Sequence, residues 1–207
     1  MKNYICINNI IIALFILTLQ SCESKFILDP IDPRLPKYTE IGNNAGGALV
    51  NQDIWKSVLS YSLAGTTNLP VIRVYSAGDS LVISFEGDVH KEKNIQLITL
   101  IKFHLKGLNI HTFSAIRTLK DKTVQLDGVR NWAEYTRPIS VNEYPACTGN
   151  FGMGQIYFRN VIVNDANNAA TLSGTFGFTI PASDCGSLEV SYGRFDYRFS
   201  DTNILFQ

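Results

Sequence analysis

The chain has 207 residues, with 18 Lys+Arg balanced by 18 Asp+Glu, and only 17% of its residues are charged. That length suits one domain able to bury a sizeable core, and the balance lacks the strong basic excess that nucleic-acid binding calls for. Asn, Thr, Ser, Gly and Tyr supply polarity in place of charge, as suits an extracellular β protein whose alternating strands expose them.

The first segment carries an address. Met1-Lys2-Asn3-Tyr4 holds one positive charge and leads into an apolar run from Ile10 to Leu17. A positive start, an apolar stretch of about 7–15 residues and a small residue before the cut make a secretory signal. A spanning helix needs about 20 apolar residues, and Gln20, Ser21 and Glu23 end this run sooner. Leu19-Gln20-Ser21-Cys22 resembles the lipobox of bacterial lipoproteins. That resemblance implies removal of residues 1–21 and alkylation of the Cys22 thiol by a diacylglycerol. Cysteine is the residue whose thiolate is nucleophilic enough for the step. Each buried acyl CH₂ contributes about 0.8 kcal/mol to membrane binding, so the expected partner of Cys22 is the membrane.

Residues 22–40 are expected to form a lipidated, proline-rich tether. Pro30, Pro33 and Pro36 recur at every third position, which favours extended chain over helix. Phe26, Ile27 and Leu28 leave open a clasp or first strand on the domain. A single β domain is expected over 41–207.

Ala48-Leu49-Val50 and Ile54-Trp55 flank Asn51-Gln52-Asp53, which reads as a hairpin; a short helix over Gln52–Ala64 competes for the same stretch. Val71–Tyr75 and Leu81–Phe85 are β-rich runs joined through Gly78-Asp79. From Asn94 to Leu105 one alternating set is Ile95, Leu97, Thr99, Ile101, Phe103 and Leu105, and the other is mixed, as in a strand partly covered on both sides. Gln155–Val163 ends at an Asn/Asp cluster, Leu172–Ile180 stops at Pro181, and Ser187–Ser191 leads to Arg194–Phe199. Short β runs with turn residues between them predict an all-β fold: an antiparallel β-sandwich, with a lipocalin-like β-barrel as the alternative.

Cys147 and Cys185 remain once Cys6 leaves with the signal and Cys22 is lipidated. Outside the cytoplasm an isolated pair is most simply one disulfide, closing a loop of about 37 residues worth roughly 3–4 kcal/mol on the chain-entropy account.

Gly42-Asn43-Asn44-Ala45-Gly46-Gly47 leading to Val50-Asn51-Gln52-Asp53-Ile54-Trp55, with Ser173-Gly174-Thr175-Phe176-Gly177-Phe178 and Gly193-Arg194-Phe195-Asp196 near the end, resembles a family of small Bacteroidetes lipoproteins of unknown function. The resemblance covers the two ends of the mature chain. It implies an envelope location, the outer membrane in particular, and carries over no catalytic residue.

No set of catalytic, cofactor-binding or metal-ligating residues stands out. His90, His104 and His111 lack the i, i+4 spacing of a helical zinc pair, and no Gly-x-Ser-x-Gly elbow occurs. Glu86, Asp88, Asp127, Glu134 and Glu143 are available to a glycoside hydrolase, whose two carboxylates can come from distant strands, yet spacing selects no pair. Gly149-Asn150-Phe151-Gly152-Met153-Gly154 mimics a phosphate loop but precedes a strand, and is expected to be a flexible turn. Asp196 is expected to meet a charge or cap a turn, and Arg194 to face solvent. Trp132 and Tyr135, among polar residues after the turn at Asp127-Gly128, are the candidate exposed ligand contacts: aromatic faces for a sugar ring or a protein interface. A non-catalytic envelope module, either structural or binding a glycan, a small molecule or an envelope protein, is the leading expectation; a surface polysaccharide hydrolase is the alternative.

Overall fold

The computed structural model describes residues 32–57, 72–90, 96–137, 146–184 and 186–206. Within them, apolar alternation carries the chain into strands β1 (Ala45–Val50), β2 (Asp53–Ser57), β3 (Ile72–Ala77), β4 (Ser80–His90), β5 (Gln96–Lys106), β6 (Lys122–Asp127), β7 (Trp132–Arg137), β8 (Cys147–Asn164), β9 (Ala169–Ile180), β10 (Leu188–Ser200) and β11 (Ile204–Phe206). The hairpin reading of residues 48–55 prevails. Asn51 and Gln52 take φ of 49° and 71°, the two positive values a type I′ turn demands. Gly78, at φ 57°, turns β3 into β4. The two β runs expected over Ser187–Phe199 are one strand, β10, broken in register between Val190 and Gly193.

The fold is all-β, but the expected sandwich is corrected to a barrel. β1, β2, β4, β5, β7, β8, β9 and β10 each pair antiparallel with the next, and β10 pairs back onto β1. A sandwich keeps two sheets with separate edges; here eight strands run up and down around one ring. The other three strands extend it. β3 and β2 share one edge of β4 end to end, β6 and β7 share one edge of β8, and β11 lies parallel to β3. Register shifts in the β1–β10, β7–β8, β8–β9 and β9–β10 pairings supply local bends.

An eight-stranded barrel has an interior just wide enough for side chains to fill or to hold one small ligand. This one is filled. Phe85 packs against Phe103, Phe195 and Tyr197 with ring centroids 5.8, 5.1 and 5.1 Å apart, and Trp55, Phe158 and Phe178 are buried with them. Each such ring contributes about 1.5–3 kcal/mol by leaving water. The Trp55 indole donates to Thr99 Oγ1 at 2.7 Å, so its polar edge is satisfied. Small residues opposite large ones make room: a Cβ on Gly87 would stand 2.5 Å from the Trp55 ring.

Gly149 to Gly154, expected as a flexible turn, belongs to β8. Its residues are held on both sides, Gly149 and Gly152 against β7 and Gly154 against β9. The glycines answer crowding rather than mobility: a Cβ at Gly152 would stand 2.9 Å from Phe178. A 3₁₀ turn at Phe113–Leu119, unanticipated from the sequence, is capped by Thr112 and buries Ile116 and Leu119. Among the described residues no helix is long and apolar enough to cross a membrane.

Candidate functional site

Alternation on β10 sends Phe195, Tyr197 and Phe199 inward and Arg194, Asp196 and Arg198 outward. Asp196 is nonetheless only 2% exposed, because residues 39–43 fold over it. One carboxylate oxygen accepts from Thr39 Oγ1, Ile41 N and Asn43 N, the backbone bonds at 3.3 and 3.0 Å. The other accepts from Gly42 N at 2.8 Å and Ser173 Oγ at 2.6 Å. Burial pulls the Asp196 pKa upward, but the Asn43 amide, the Ser173 and Thr39 hydroxyls and the Gly42 amide outweigh it and hold the group below its ordinary value. Of the two roles expected for Asp196, the hydrogen bonds to the 41–43 backbone show the turn cap.

Arg194, expected to face solvent, is 6% exposed. The same covering segment is the reason. Its Nη1 donates to Pro36 O at 3.4 Å and its Nε to Tyr192 O at 3.3 Å. Asp32, gripped by the Arg34 side chain at 2.6 and 2.9 Å, is held at about 2, chiefly by those hydrogen bonds and with a smaller contribution from Arg194. Leu35 is buried, Pro36 occupies the space that a side chain at Gly47 would need, and Asn160 Nδ2 donates to Glu40 O at 3.1 Å. Residues 32–43 therefore form a strap across the outer face of β8, β9 and β10.

Beside the strap that face opens into a groove of about 660 Å³, walled by Tyr38, Gln125, Gln155, Thr175, Tyr192 and Arg194. Gly154, Phe176, Gly177 and Gly193 complete its lining. The break in β10 sets Tyr192 at φ 53° and leaves it 53% exposed, a backbone state that L residues adopt at a cost of about 1–3 kcal/mol. Gly177 points outward, and a Cβ there would meet nothing nearer than Val190 O at 3.4 Å. Gln125 Nε2 donates to Gln155 Oε1 at 3.4 Å. That bond leaves the Gln125 oxygen and the Gln155 amino group to other partners. No Asp or Glu is in the lining.

No family model, curated protein or solved structure matches the chain. What the groove takes must be read from its own residues.

Trp132 and Tyr135 are not an exposed pair. They stand three apart on β7, and in a strand an odd spacing puts two side chains on opposite faces. Tyr135 points inward, 2% exposed, and burial pushes its phenol up to about 12. Trp132 points outward but is half-buried; His104 stacks on its ring at 4.5 Å and 8°, and Phe151 lies 5.9 Å away. Phe151 itself is exposed, as are Met153 and Val129.

Glu134, next to Trp132 on the same outer face, receives Lys102 Nζ at 2.6 Å and Thr136 Oγ1 at 2.9 Å, and lies 3.1 Å from His104 Nε2. The His104 hydrogen bond first, then those of Lys102 and Thr136, hold its carboxyl at about 2 against the opposing effect of burial. A carboxyl lowered on folding contributes stability above its unfolded pKa, here near 4.5, and loses it as pH falls through about 2. Glu134→Gln is expected to cost about 1–2 kcal/mol at pH 7, after discounting for solvent screening, and almost nothing below pH 2. Urea titrations across that range check it; equal losses at both ends would contradict it.

The remaining sequence candidates are scattered. Asp127 accepts the N–H groups of Val129, Arg130 and Asn131 at 2.8–2.9 Å and so caps its own turn. Asp88 is buried and Glu86 half-buried on β4, while His111 is exposed. Among the described residues no three His, Cys, Asp or Glu cluster as metal ligands would. Cys147 is buried at the start of β8. Cys185 lies outside the described residues, as do Cys22 and Glu143; its chain neighbour Asp184 donates to Thr148 O at 3.4 Å.

Sequence reasoning assigned none of the groove residues to a site: Gly154, Thr175, Phe176, Gly177 and Gly193 entered only as parts of motifs, and Arg194 was placed in solvent. Gln125, Gln155 and Thr175 are ordinary outward residues of strands, and Tyr38 sits in a stretch that reads as tether. One signal was available: Tyr192-Gly193 divides an otherwise continuous β run, and a glycine inside a strand pattern suggests a bulge.

Proposed function

We propose that the chain is a non-catalytic binding module of the cell envelope, anchored through a lipid on Cys22, at the outer membrane as its resemblance to small Bacteroidetes lipoproteins implies. The observation that carries the binding part is the outer-face groove, which brings aromatic, amide and hydroxyl groups together with three glycines. Lipocalin-type barrels hold their ligand inside. Here packed rings occupy that space, so the reading puts the ligand outside, between the strap and the exposed tyrosine. Pairing of Cys147 with Cys185 belongs to the same proposal and suits an oxidising compartment.

The hydrolase alternative needs two carboxylates flanking a bound sugar, about 5–9.5 Å apart depending on mechanism. The groove lining offers none, which favours binding over cleavage at this place.

Two measurements on the full chain test the reading. In the host, wild type is expected to fractionate with membranes and take up labelled palmitate, and Cys22→Ser to do neither; a Cys22→Ser variant that kept both properties would remove the anchor. Native mass spectrometry after incubation with envelope extract is expected to show a reproducible added mass. Shortened oligosaccharides in that sample would replace the binding reading with the hydrolase, and a bare chain would end it.

A further inference from the structure

Resting on the binding-module reading, we infer that the outer-face groove takes a neutral glycan, with Tyr192 as the platform for a sugar ring and the strap as one wall of the site. Its volume of about 660 Å³ lies within the ordinary range of ligand clefts. The chemistry of the lining separates the ligand classes.

An anionic ligand finds little to hold it. The groove has one cation, Arg194, and that guanidinium is buried, donates to the Pro36 and Tyr192 carbonyls and feels the Asp32 carboxylate. A wholly apolar ligand, such as a lipid tail, would strip water from the Gln125 and Gln155 amides and the Thr175 hydroxyl without replacing it, at about 1–3 kcal/mol for each group left unpaired. A pyranose ring presents one face of C–H groups and a rim of hydroxyls that both donate and accept. The exposed Tyr192 ring matches the face. Gln125 and Gln155, already bonded to each other, retain one acceptor oxygen and one amino group for neighbouring hydroxyls.

Gly177 supplies a direct test. Gly177 has an outward Cβ direction and ordinary contacts, so a side chain there enters the groove and leaves the core alone. Gly177→Trp is the plug, and Thr179→Ala, at an exposed position of β9 outside the groove, is the control. Tyr192→Gly removes the platform and suits the positive φ at that position.

The experiment is isothermal titration of the full chain with neutral hexasaccharides of glucose, xylose, mannose, galactose and N-acetylglucosamine, with polygalacturonate as the acidic comparison. At least one neutral hexasaccharide is expected to bind, with an affinity that changes little between low and high salt. Gly177→Trp is expected to weaken it at least tenfold at unchanged thermal midpoint, Tyr192→Gly at least tenfold at a midpoint no lower than that of wild type, and Thr179→Ala less than threefold. Binding of none of the neutral hexasaccharides, full affinity in Gly177→Trp, or a preference for polygalacturonate that fades with salt would each overturn the assignment. The two readings fail separately. If envelope extract still yields a bound lipid or protein while every sugar fails, the glycan falls and the binding module stands; if the extract also yields nothing, both fall.

Discussion

Gly174→Ala is expected to destabilise the barrel by about 3 kcal/mol or more, lowering its thermal midpoint by roughly 6–12 °C for a domain of this size. Gly174 lies in β9 between Phe158 of β8 and Phe195 of β10. An added Cβ would overlap the Tyr157 carbonyl oxygen and stand 2.7 Å from the Phe195 ring. The ring is itself packed 5.1 Å from Phe85 and 6.0 Å from Phe158, so it has nowhere to retreat. The carbonyl belongs to a paired strand and moves only with its ladder. Gly177→Ala, three residues along the same strand but outward, is expected to stay within about 0.5 kcal/mol of wild type. Urea unfolding of the two variants side by side measures the difference. Equal stability would mean that the barrel interior is looser than the ring contacts describe.

Asp196→Asn is expected to cost about 2–4 kcal/mol and to release the strap. The substitution keeps shape and size, so its effect is one of chemistry. Both carboxylate oxygens face donors only: Thr39, Ile41 and Asn43 on one, Gly42 and Ser173 on the other. Whichever way an amide turns, its amino group meets N–H or O–H groups that also donate. The pKa of Asp196 is lowered on folding. Its contribution is therefore complete above the unfolded carboxyl value near 3.9 and is lost as pH falls through the lower folded value. The variant should match wild type in strong acid and fall short of it at neutral pH. Limited proteolysis at pH 7 supplies the second readout, with faster cleavage expected within residues 33–43 and the barrel left whole. A variant with wild-type stability and an uncut strap would show that Asp196 does not latch it.

The strap also bears on binding, because Tyr38 on the strap and Tyr192 on β10 both line the groove. On the proposal above, loosening Asp196 should weaken glycan binding as well as stability. Gly177→Trp should weaken binding alone. That contrast separates a site built partly from the strap from one that lies wholly on the barrel.

Much of this was legible along the chain. The β runs from Leu81 to Phe85, Gln155 to Val163 and Leu172 to Ile180 lie within β4, β8 and β9. The face holding Thr99, Ile101, Phe103 and Leu105 is the buried face of β5. Period-two alternation reports which side of a strand is apolar, and that is a local property. Residues 41–43 reading as a lead-in to β1 hid their second task, since nothing local marks a backbone amide as the partner of a carboxylate far along the chain.

By itself, then, the sequence determined the all-β class and the alternation of the runs from Leu81 to Phe85, Gln155 to Val163 and Leu172 to Ile180; at Asn51-Gln52 it left a hairpin and a helix in competition. The tertiary structure alone decided barrel over sandwich, because closure depends on which edges meet, and β1 meets β10 across most of the chain. It alone buried Arg194 and Asp196, whose strand positions point outward, because a segment remote in sequence covers them. It alone separated Trp132 from Tyr135, turned one inward and covered the other with His104. The groove followed from the same causes: a bulge, three glycines and a strap have no shared signal in one dimension, and they become a site only where the sheet brings them together.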